Sequence, residues 1–279
     1  KREPSLQAPE KKEEVTSKIS KLGKNISKAI LNQNCIYVLY SKRTGEPYLF
    51  TRNFEGPDNT IRIDPPSIII FTEQTYRGIS EGYKTDPLKE IRKIENGNNR
   101  DGIKNFLGST FYDNGATGLS VNYFGLSIAA GYIVPEPNFE GVPTVEIPVT
   151  NPMAESLILL NGQLAKVETD DEKKIFNIYS SMLFKEIANG RFLVPMKLDG
   201  EVEKGENNKA VIKANTKISL ATIPGKYNRP AVRMYTDWKR MVDAGFEPKD
   251  GWSANIVRMS DMITDFDCAI NVTNATCLI

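Results

Sequence analysis

The sequence predicts an α+β fold of two related lobes, each a mostly antiparallel sheet flanked by helices. Helix-spaced apolar residues fill two long segments, and short β-branched and aromatic runs lie between turn residues. Similar apolar anchors also recur in the same order in both halves of the chain. A chain of 279 residues with 40% hydrophobic and 25% charged residues is long enough for two ordinary globular domains.

The first half is predicted to begin with a charged, disordered arm at 1–14 and a helix over about 14–32, whose apolar residues recur every three or four positions. Apolar strands follow at 35–40 and 67–72. Asp86 and Pro87 are typical of a helix start, an N-cap residue followed by proline at the first position, so a helix is predicted there. Further strands are expected at 118–121 and 126–134, and these elements make 15–134 the first domain.

A proline-rich connection at 135–150 separates the two predicted domains. Proline cannot donate a backbone hydrogen bond, so this stretch is expected to be an extended link or an edge strand. The second domain, 151–279, begins at Asn151-Pro152, another helix start, and Glu155 is favoured there by the helix dipole. A helix over 170–188, strands at 191–196, 211–223 and 231–236, a helix from Trp238 and a late strand at 268–271 complete it.

The absence of histidine is the most informative feature for function. It excludes Ser-His-Asp and Cys-His catalysis and any histidine metal ligand. The chain also lacks the G-x-S-x-G nucleophile pattern, the phosphate-binding loop and the dinucleotide fingerprint. Asp261, Asp265 and Asp267 lack the spacing and glycine of a calcium loop. No catalytic residue, metal site or cofactor is therefore predicted. The sequence leaves open whether the chain is an enzyme and favours a protein that is not one.

Charge and cysteine content bound the partners and the compartment. The chain has 36 Lys and Arg against 35 Asp and Glu, a net charge of +1, which argues against nucleic-acid binding. No apolar run is long enough to span a bilayer, so no stable membrane insertion is expected. Cys35, Cys268 and Cys277 form no C-x-x-C pair, so a cytoplasmic location is predicted, although a removed upstream signal or anchor stays possible.

Three apolar anchors suggest an internal repeat. Cys35-Ile36-Tyr37-Val38 matches Phe192-Leu193-Val194-Pro195, each after a helix; Ile70-Phe71-Thr72-Glu73 matches Met234-Tyr235-Thr236-Asp237; and Leu119-Ser120-Val121-Asn122 matches Cys268-Ala269-Ile270-Asn271. In the middle anchor the threonine is suited to cap a helix and the acid to its first turn. Pro47-Tyr48-Leu49-Phe50-Thr51 is a rival for the middle anchor in the first half.

The second half resembles the SseB (enhanced serine sensitivity) family of bacterial proteins over about 151–279. The resemblance lies in the helix start at Asn151-Pro152, the strand Phe192–Met196, the strand ending in Tyr235-Thr236-Asp237, and the closing strand ending in Ile270-Asn271. Tyr235 stands where the family usually has Phe, and Val272 where Pro commonly follows. The resemblance implies tandem α+β domains and no catalytic motif.

The sequence therefore predicts a non-catalytic interaction or regulatory module that binds a protein, a peptide or a small metabolite. Its candidate binding residues are Tyr112, Asp113 and Asn114, in a Gly-rich loop next to a strand, and the two tryptophans Trp238 and Trp252. The alternative is a hydrolase that uses carboxylates or tyrosine from a site between the two lobes. A strongly perturbed carboxylate pair would favour that alternative.

Overall fold

The computed structural model describes residues 9–57, 60–123, 125–142, 147–164, 168–200, 202–204, 210–212, 215–225, 229–272 and 277–278. It has helices and several mostly antiparallel sheets, which confirms the predicted α+β class. The chain divides into two compact units. Unit 1 comprises 1–40, 47–111 and 116–137, and unit 2 comprises 41–46, 112–115 and 138–279.

The elements of the first half, through residue 137, comprise three helices and eight strands among the described residues. In chain order they are α1 Pro9–Leu31, β1 Cys35–Ser41, β2 Leu49–Phe50, β3 Asn53–Glu55, β4 Ile61–Ile63, β5 Ser67–Phe71, α2 Glu73–Lys84, β6 Lys89–Glu95, α3 Gly102–Tyr112, β7 Gly118–Val121 and β8 Leu126–Ala129. A short 3-10 turn follows at Ala130–Tyr132. Helix α1 begins within the segment predicted as a disordered arm, and residues 1–8 of that arm lie outside the described residues.

The second half carries four helices and nine strands among its described residues. They are α4 Pro152–Gln163, α5 Asp170–Asn189, β9 Arg191–Asp199, β10 Val202–Lys204, β11 Ala210–Ile212, β12 Lys217–Leu220, β13 Thr222–Pro224, β14 Pro230–Met234, α6 Trp238–Asp243, β15 Ser253–Arg258, α7 Met259–Met262, β16 Asp267–Ile270 and β17 Cys277–Leu278. The single strand predicted over 211–223 is thus three shorter strands, β11, β12 and β13. The described parts of the proline-rich connection contain neither helix nor strand.

The main sheet of unit 1 has the strand order β6-β1-β5-β7-β8, with β2 also paired to β5. Strands β1 and β5 are antiparallel, β5 and β7 are parallel, and β7 and β8 form an antiparallel hairpin. Unit 2 has one sheet of order β12-β9-β15 and another of order β13-β14-β16-β17, in which β14 and β16 are parallel. Leu193 of β9 bridges Tyr235, the residue after β14, and so connects these two sheets.

The strand register repeats between the units. Tyr37 lies opposite Phe71 in unit 1 as Leu193 lies opposite Tyr235 in unit 2, both antiparallel. The amide of Tyr48 donates to the carbonyl of Leu39 at 2.8 Å, and the amide of Ala221 donates to that of Pro195 at 3.1 Å.

The remaining strands match in the same way. Ile70 is paired with Val121, and Met234 with Ile270, in the parallel ladders. The hairpins that follow have Val121 opposite Leu126 and Ile270 opposite Cys277. Phe71 of the middle anchor in unit 1 therefore occupies the position equivalent to Tyr235 in unit 2, in the predicted alignment. The first anchor was matched one residue out of register, because Tyr37 corresponds to Leu193 and not to Val194. The rival segment 47–51 supplies β2, whose counterpart is β13.

Each unit has its own aromatic core. In unit 1, Leu39, Ile69 and Phe71 are buried, with Tyr37 and Tyr76 packed against them. In unit 2, the buried residues are Val149, Leu193, Ala221, Tyr235, Met241 and Phe246. Trp252 packs edge-on against Phe246 at 4.7 Å between ring centroids. Burial of these large side chains is the main stabilising contribution in each unit.

The helix predicted from Asp86-Pro87 is wrong, because this stretch forms the edge strand β6. The Asp86 side chain accepts hydrogen bonds from the amides of Leu88 and Lys89, at 2.8 and 2.9 Å, which makes a turn and not a helix cap. Ile91 and Ile94 have helical spacing, but pairing with β1 outweighs that local preference.

Two short segments of the first half, 41–46 and 112–115, belong to unit 2, which the predicted domain boundaries did not include. Arg43 Nε donates to the carbonyl of Gly162 at 3.0 Å. Asn114 and Glu46 contact Arg240, as described below. Polar contacts at long sequence separation thus connect both segments to the rest of unit 2.

Candidate functional site

Both units end their parallel strand pair in the same backbone arrangement. In unit 1 the amide of Asn122 donates to the carbonyl of Ile70 at 2.8 Å, and Asn122 Oδ1 accepts from the amide of Thr72 at 3.1 Å. In unit 2 the amide of Asn271 donates to the carbonyl of Met234 at 2.9 Å, and Asn271 Oδ1 accepts from the amide of Thr236 at 3.1 Å. We name these pairs, Thr72 with Asn122 and Thr236 with Asn271, the Thr–Asn corners of units 1 and 2.

The asparagines suit these corners for a conformational reason. Their φ angles are 52° and 51°, in the left-handed region that Asn tolerates better than most residues other than glycine. An asparagine side chain can also accept from the amide where the next helix begins. The carboxyl ends of parallel strands are a common place for ligand sites in α/β structures, because strand ends and helix starts converge there.

The corner of unit 2 is covered by the first turn of α4. The side-chain nitrogen Nδ2 of Asn151 donates to the carbonyl of Arg191 at 2.5 Å and to the carbonyl of Thr236 at 3.2 Å. Glu155 Oε2 accepts from Asn271 Nδ2 at 2.5 Å and from Thr236 Oγ1 at 3.2 Å. The sequence predicted that Asn151 caps α4, but its side chain makes no cap hydrogen bond. It binds instead to the carbonyl groups at the ends of two strands and so holds α4 against them.

Arg240 links this corner to three carboxylates. Its Nη2 lies 2.9 Å from Glu155 Oε1 and 3.7 Å from Glu46 Oε1, and its Nη1 lies 2.5 Å from Asp237 Oδ2. The same Nη2 donates to Asn114 Oδ1 at 2.8 Å, and Asn114 Nδ2 donates to Glu46 at 3.1 Å. The Arg240, Glu155 and Asp237 side chains are 6%, 2% and 4% exposed, so these charges are almost fully removed from water.

The pKa of Glu155 is shifted chiefly by burial, and in addition by the guanidinium and the two other carboxylates of this network. Burial raises that pKa to about 7, Arg240 opposes the rise, and Asp237 and Glu46 add to it. Burial alone would lower the pKa of Arg240, but its carboxylate neighbours raise it above its usual value. Glu155 is thus a buried proton-binding group near neutral pH.

The corner of unit 1 has a different environment. Thr72 is exposed and caps α2, accepting from the amide of Thr75 at 3.4 Å. Tyr76 stands where unit 2 has Arg240, and its ring stacks on Tyr37 at 3.9 Å between centroids. A cavity of about 290 Å³ lies at this corner, with Ile36, Phe71 and Thr72 in its lining.

The predicted site residues are dispersed. Asn114 is buried in the network around Arg240, and Tyr112 and Asp113 precede it in the same segment of unit 2. Trp238 is 40% exposed at the start of α6, whereas Trp252 packs against the core of unit 2 and carries Lys197 over its ring at 4.6 Å. A binding role for any of the five stays a prediction.

Sequence reasoning missed Glu155, Arg240, Thr236, Asn271 and Glu46 as one network. Glu155 was attributed to the helix dipole, and Thr236 to a helix cap that Asp237 supplies instead by accepting from the amide of Arg240. The paired anchors ending in Asn122 and Asn271 were the available signal, because they point to the same corner twice. In the part of the chain that the structure describes, no group of three or more Cys, Asp and Glu is arranged to hold an ion.

No protein-family model, no curated protein and no solved structure matches this chain. Among the described residues, no helix is both long and apolar enough to cross a membrane.

Proposed function

We propose that this chain is a non-catalytic interaction module and that it binds a peptide segment of a partner protein at the Thr–Asn corner of unit 1. One observation carries the proposal: the same corner in unit 2 is occupied by a segment of the chain itself, whereas in unit 1 it borders a cavity of about 290 Å³. A surface that accepts a peptide segment in one repeat is a reasonable receptor for one in the other.

The cavity has the composition of a peptide site. Ile36, Ile70 and Phe71 give it a buried apolar floor, and Thr72 and Asn34 place polar groups at its rim. Apolar walls with few polar groups are typical of ligand sites. Its apolar surface is a natural receptor for the apolar face of a short helix or strand.

The resemblance to the SseB family belongs to the same proposal. Its residues include Thr236, Asp237 and Asn271, which lie in the covered corner. A bacterial source and a cytoplasmic location stay predictions of the sequence.

The alternative function is a carboxylate-dependent hydrolase, and one observation favours it. The pKa of Glu155 is raised to about 7, and a carboxyl group with a raised pKa can act as a general acid or base near neutral pH. However, Glu155 is 2% exposed and both of its oxygens are bonded within the protein. The 500 Å³ cavity next to α4 is lined by Met153 and Ala154 but not by Glu155. The geometry therefore supports the interaction module better.

Selection from a random peptide library displayed on phage, with the full chain as bait, tests the proposal. The substitution Ala29→Trp adds a bulky side chain to the lining of the cavity from the exposed last turn of α1. The matched control Ala188→Trp places the same side chain on the exposed last turn of α5 in unit 2. We expect selected peptides to lose affinity by about tenfold or more on Ala29→Trp and to retain it on Ala188→Trp.

Two results would overturn the proposal. Peptides that bind both variants equally would place the site elsewhere. Absence of binders, together with hydrolysis of ester or glycoside substrates that Glu155→Gln abolishes, would establish the alternative.

A further inference from the structure

We infer that the ligand of the Thr–Asn corner of unit 1 is the start of a partner helix, with an asparagine at its N-cap position and a neutral hydrogen-bonding side chain, such as glutamine, four residues later. This inference rests on the proposed function and names the ligand class of the same site.

The first turn of α4 shows how such a segment binds. Asn151 donates to the carbonyl groups of Arg191 and Thr236, and four residues later Glu155 accepts from Thr236 and Asn271. All four contacts come from one helical turn, because residues i and i+4 lie on the same face. They are made to positions that the repeated register defines in both units.

The counterparts of these positions in unit 1 are Cys35, Thr72 and Asn122. Cys35 begins β1 as Arg191 begins β9, and both Cys35 and Thr72 line the cavity. Asn122 follows Val121, which also lines it. Among the described residues the side-chain nitrogen Nδ2 of Asn122 has no hydrogen-bond partner, while Oδ1 accepts from the backbone amide of Thr72. The Thr72 hydroxyl donates to Thr75 Oγ1 at 3.1 Å, so Asn122 Nδ2 is the donor that this corner offers at the place where unit 2 binds Glu155.

The charges differ, and this difference decides the ligand chemistry. Unit 2 has Arg240 to compensate the carboxylate, whereas unit 1 has Tyr76, which stacks on Tyr37. Glu73 adds a carboxylate at the start of α2, paired with Arg77 at 2.6 Å on the exposed side of the helix. Burying a carboxylate without a compensating charge is unfavourable, whereas an amide needs hydrogen bonds alone. A glutamine therefore suits unit 1 better than a glutamate.

The proposal does not depend on the helix start of α2 alone. Its independent support is the set of equivalent residues in unit 2 that bind a chain segment in the same register. The apolar wall formed by Ile36, Phe71 and Val121 adds room for the side chains that accompany the asparagine.

A peptide series titrated against the ¹⁵N-labelled full chain tests the inference. The parent peptide has the sequence of residues 149–156 followed by a soluble alanine- and lysine-rich helix, and the variants carry Glu155→Gln or Asn151→Ala. We expect saturable shifts of the Thr72 and Asn122 signals at pH 7.5. The Gln peptide should bind about threefold or more tightly than the parent, and the Asn151→Ala peptide about fivefold more weakly, as loss of one or two net hydrogen bonds predicts.

Variants of the receptor locate the contacts. Asn122→Asp keeps the oxygen that accepts from Thr72 but replaces the free donor, so affinity for the Gln peptide should fall about fivefold or more, whereas Asn105→Asp on the exposed face of α3 should have no effect. The amide spectrum of each variant reports whether the fold is intact.

Several outcomes would overturn the inference. They are tighter binding of the parent than of the Gln peptide, shifts confined to unit 2, and a concentration-dependent dimer that Ala29→Trp dissociates, which would make a second copy the occupant. If phage-selected peptides bind in an Ala29-dependent manner but this series does not compete with them, the ligand class is wrong and the interaction module stands. If neither set binds, both proposals fall.

Discussion

The two Thr–Asn corners share a backbone but not an environment. Thr236 and Asn271 are 0% and 2% exposed, covered by α4 and bonded to Glu155, whereas Thr72 is exposed and Asn122 half-buried beside a cavity. Strand pairing and the left-handed asparagine are local and recur in both units. What covers the corner depends on a segment from elsewhere in the chain, and this decides whether the polar groups form an internal network or a surface.

Positions 76 and 240 follow the same logic. Tyr76 packs its ring on Tyr37 and needs no charged partner. Arg240 is buried and therefore requires the carboxylates that surround it, since an unpaired buried charge is strongly destabilising. Arg240 also contacts Glu46 and Asn114, which belong to unit 2, so this position is part of a polar network in unit 2 and of an aromatic stack in unit 1.

The largest expected effect is the loss of Arg240. Arg240→Leu leaves Glu155 and Asp237 buried without their cation and should lower the free energy of unfolding of unit 2 by about 3–5 kcal/mol. Tyr76→Leu, the matched change in unit 1, should lose about 1 kcal/mol from the ring stack. Hydrogen exchange by mass spectrometry can separate the units, with protection lost in α4 and α6 but not in α2. Equal losses in both units would show that the network contributes no special stability.

The next effect concerns pH. The pKa of Glu155 is raised from its ordinary 4.5 to about 7, so the folded state holds this proton more tightly than the unfolded state does. Stability from this group is complete below about pH 4.5 and is lost as the pH rises to about 7, on the order of 3 kcal/mol in all. Urea titrations between pH 4.5 and 8 should show this loss in the wild type relative to Glu155→Gln. Glu73→Gln, at an exposed side chain of unit 1, is the control for the loss of one carboxyl group elsewhere in the chain. Identical profiles for wild type and Glu155→Gln would contradict the assignment.

The smallest effect sharpens the comparison at the asparagines. Glycine tolerates the positive φ of both positions, so Asn→Gly removes the side chain without backbone strain. Asn271→Gly should lower stability by about 2 kcal/mol because it removes the buried hydrogen bonds that Asn271 makes with Glu155 and Thr236, and Asn122→Gly by less than about 1 kcal/mol. Thermal unfolding of both variants measures the difference. A larger loss at Asn122 would mean that the corner of unit 1 is as essential to the fold as that of unit 2.

Local patterns predicted much of the secondary structure. The apolar spacing in α1 and α5, the β-branched strand at 67–72 and the anchors ending in Asn122 and Asn271 all reflect contacts between near neighbours or one apolar face. The anchor match even indicated the repeated register, apart from the one-residue shift at Cys35. The prediction from local spacing failed at β6, where Ile91 and Ile94 have helical spacing but a neighbouring strand supplies the hydrogen bonds.

The sequence by itself determined the α+β class, the repeated strand–Thr–acid pattern and the absence of any histidine chemistry, because these depend on composition and on residues close together in the chain. Only the tertiary structure decided that Glu155 meets Asn271 across 116 positions and that Arg240 meets Asn114 across 126. No periodicity encodes such contacts. They arise because a buried charge has to find its partners wherever the packed backbone brings them.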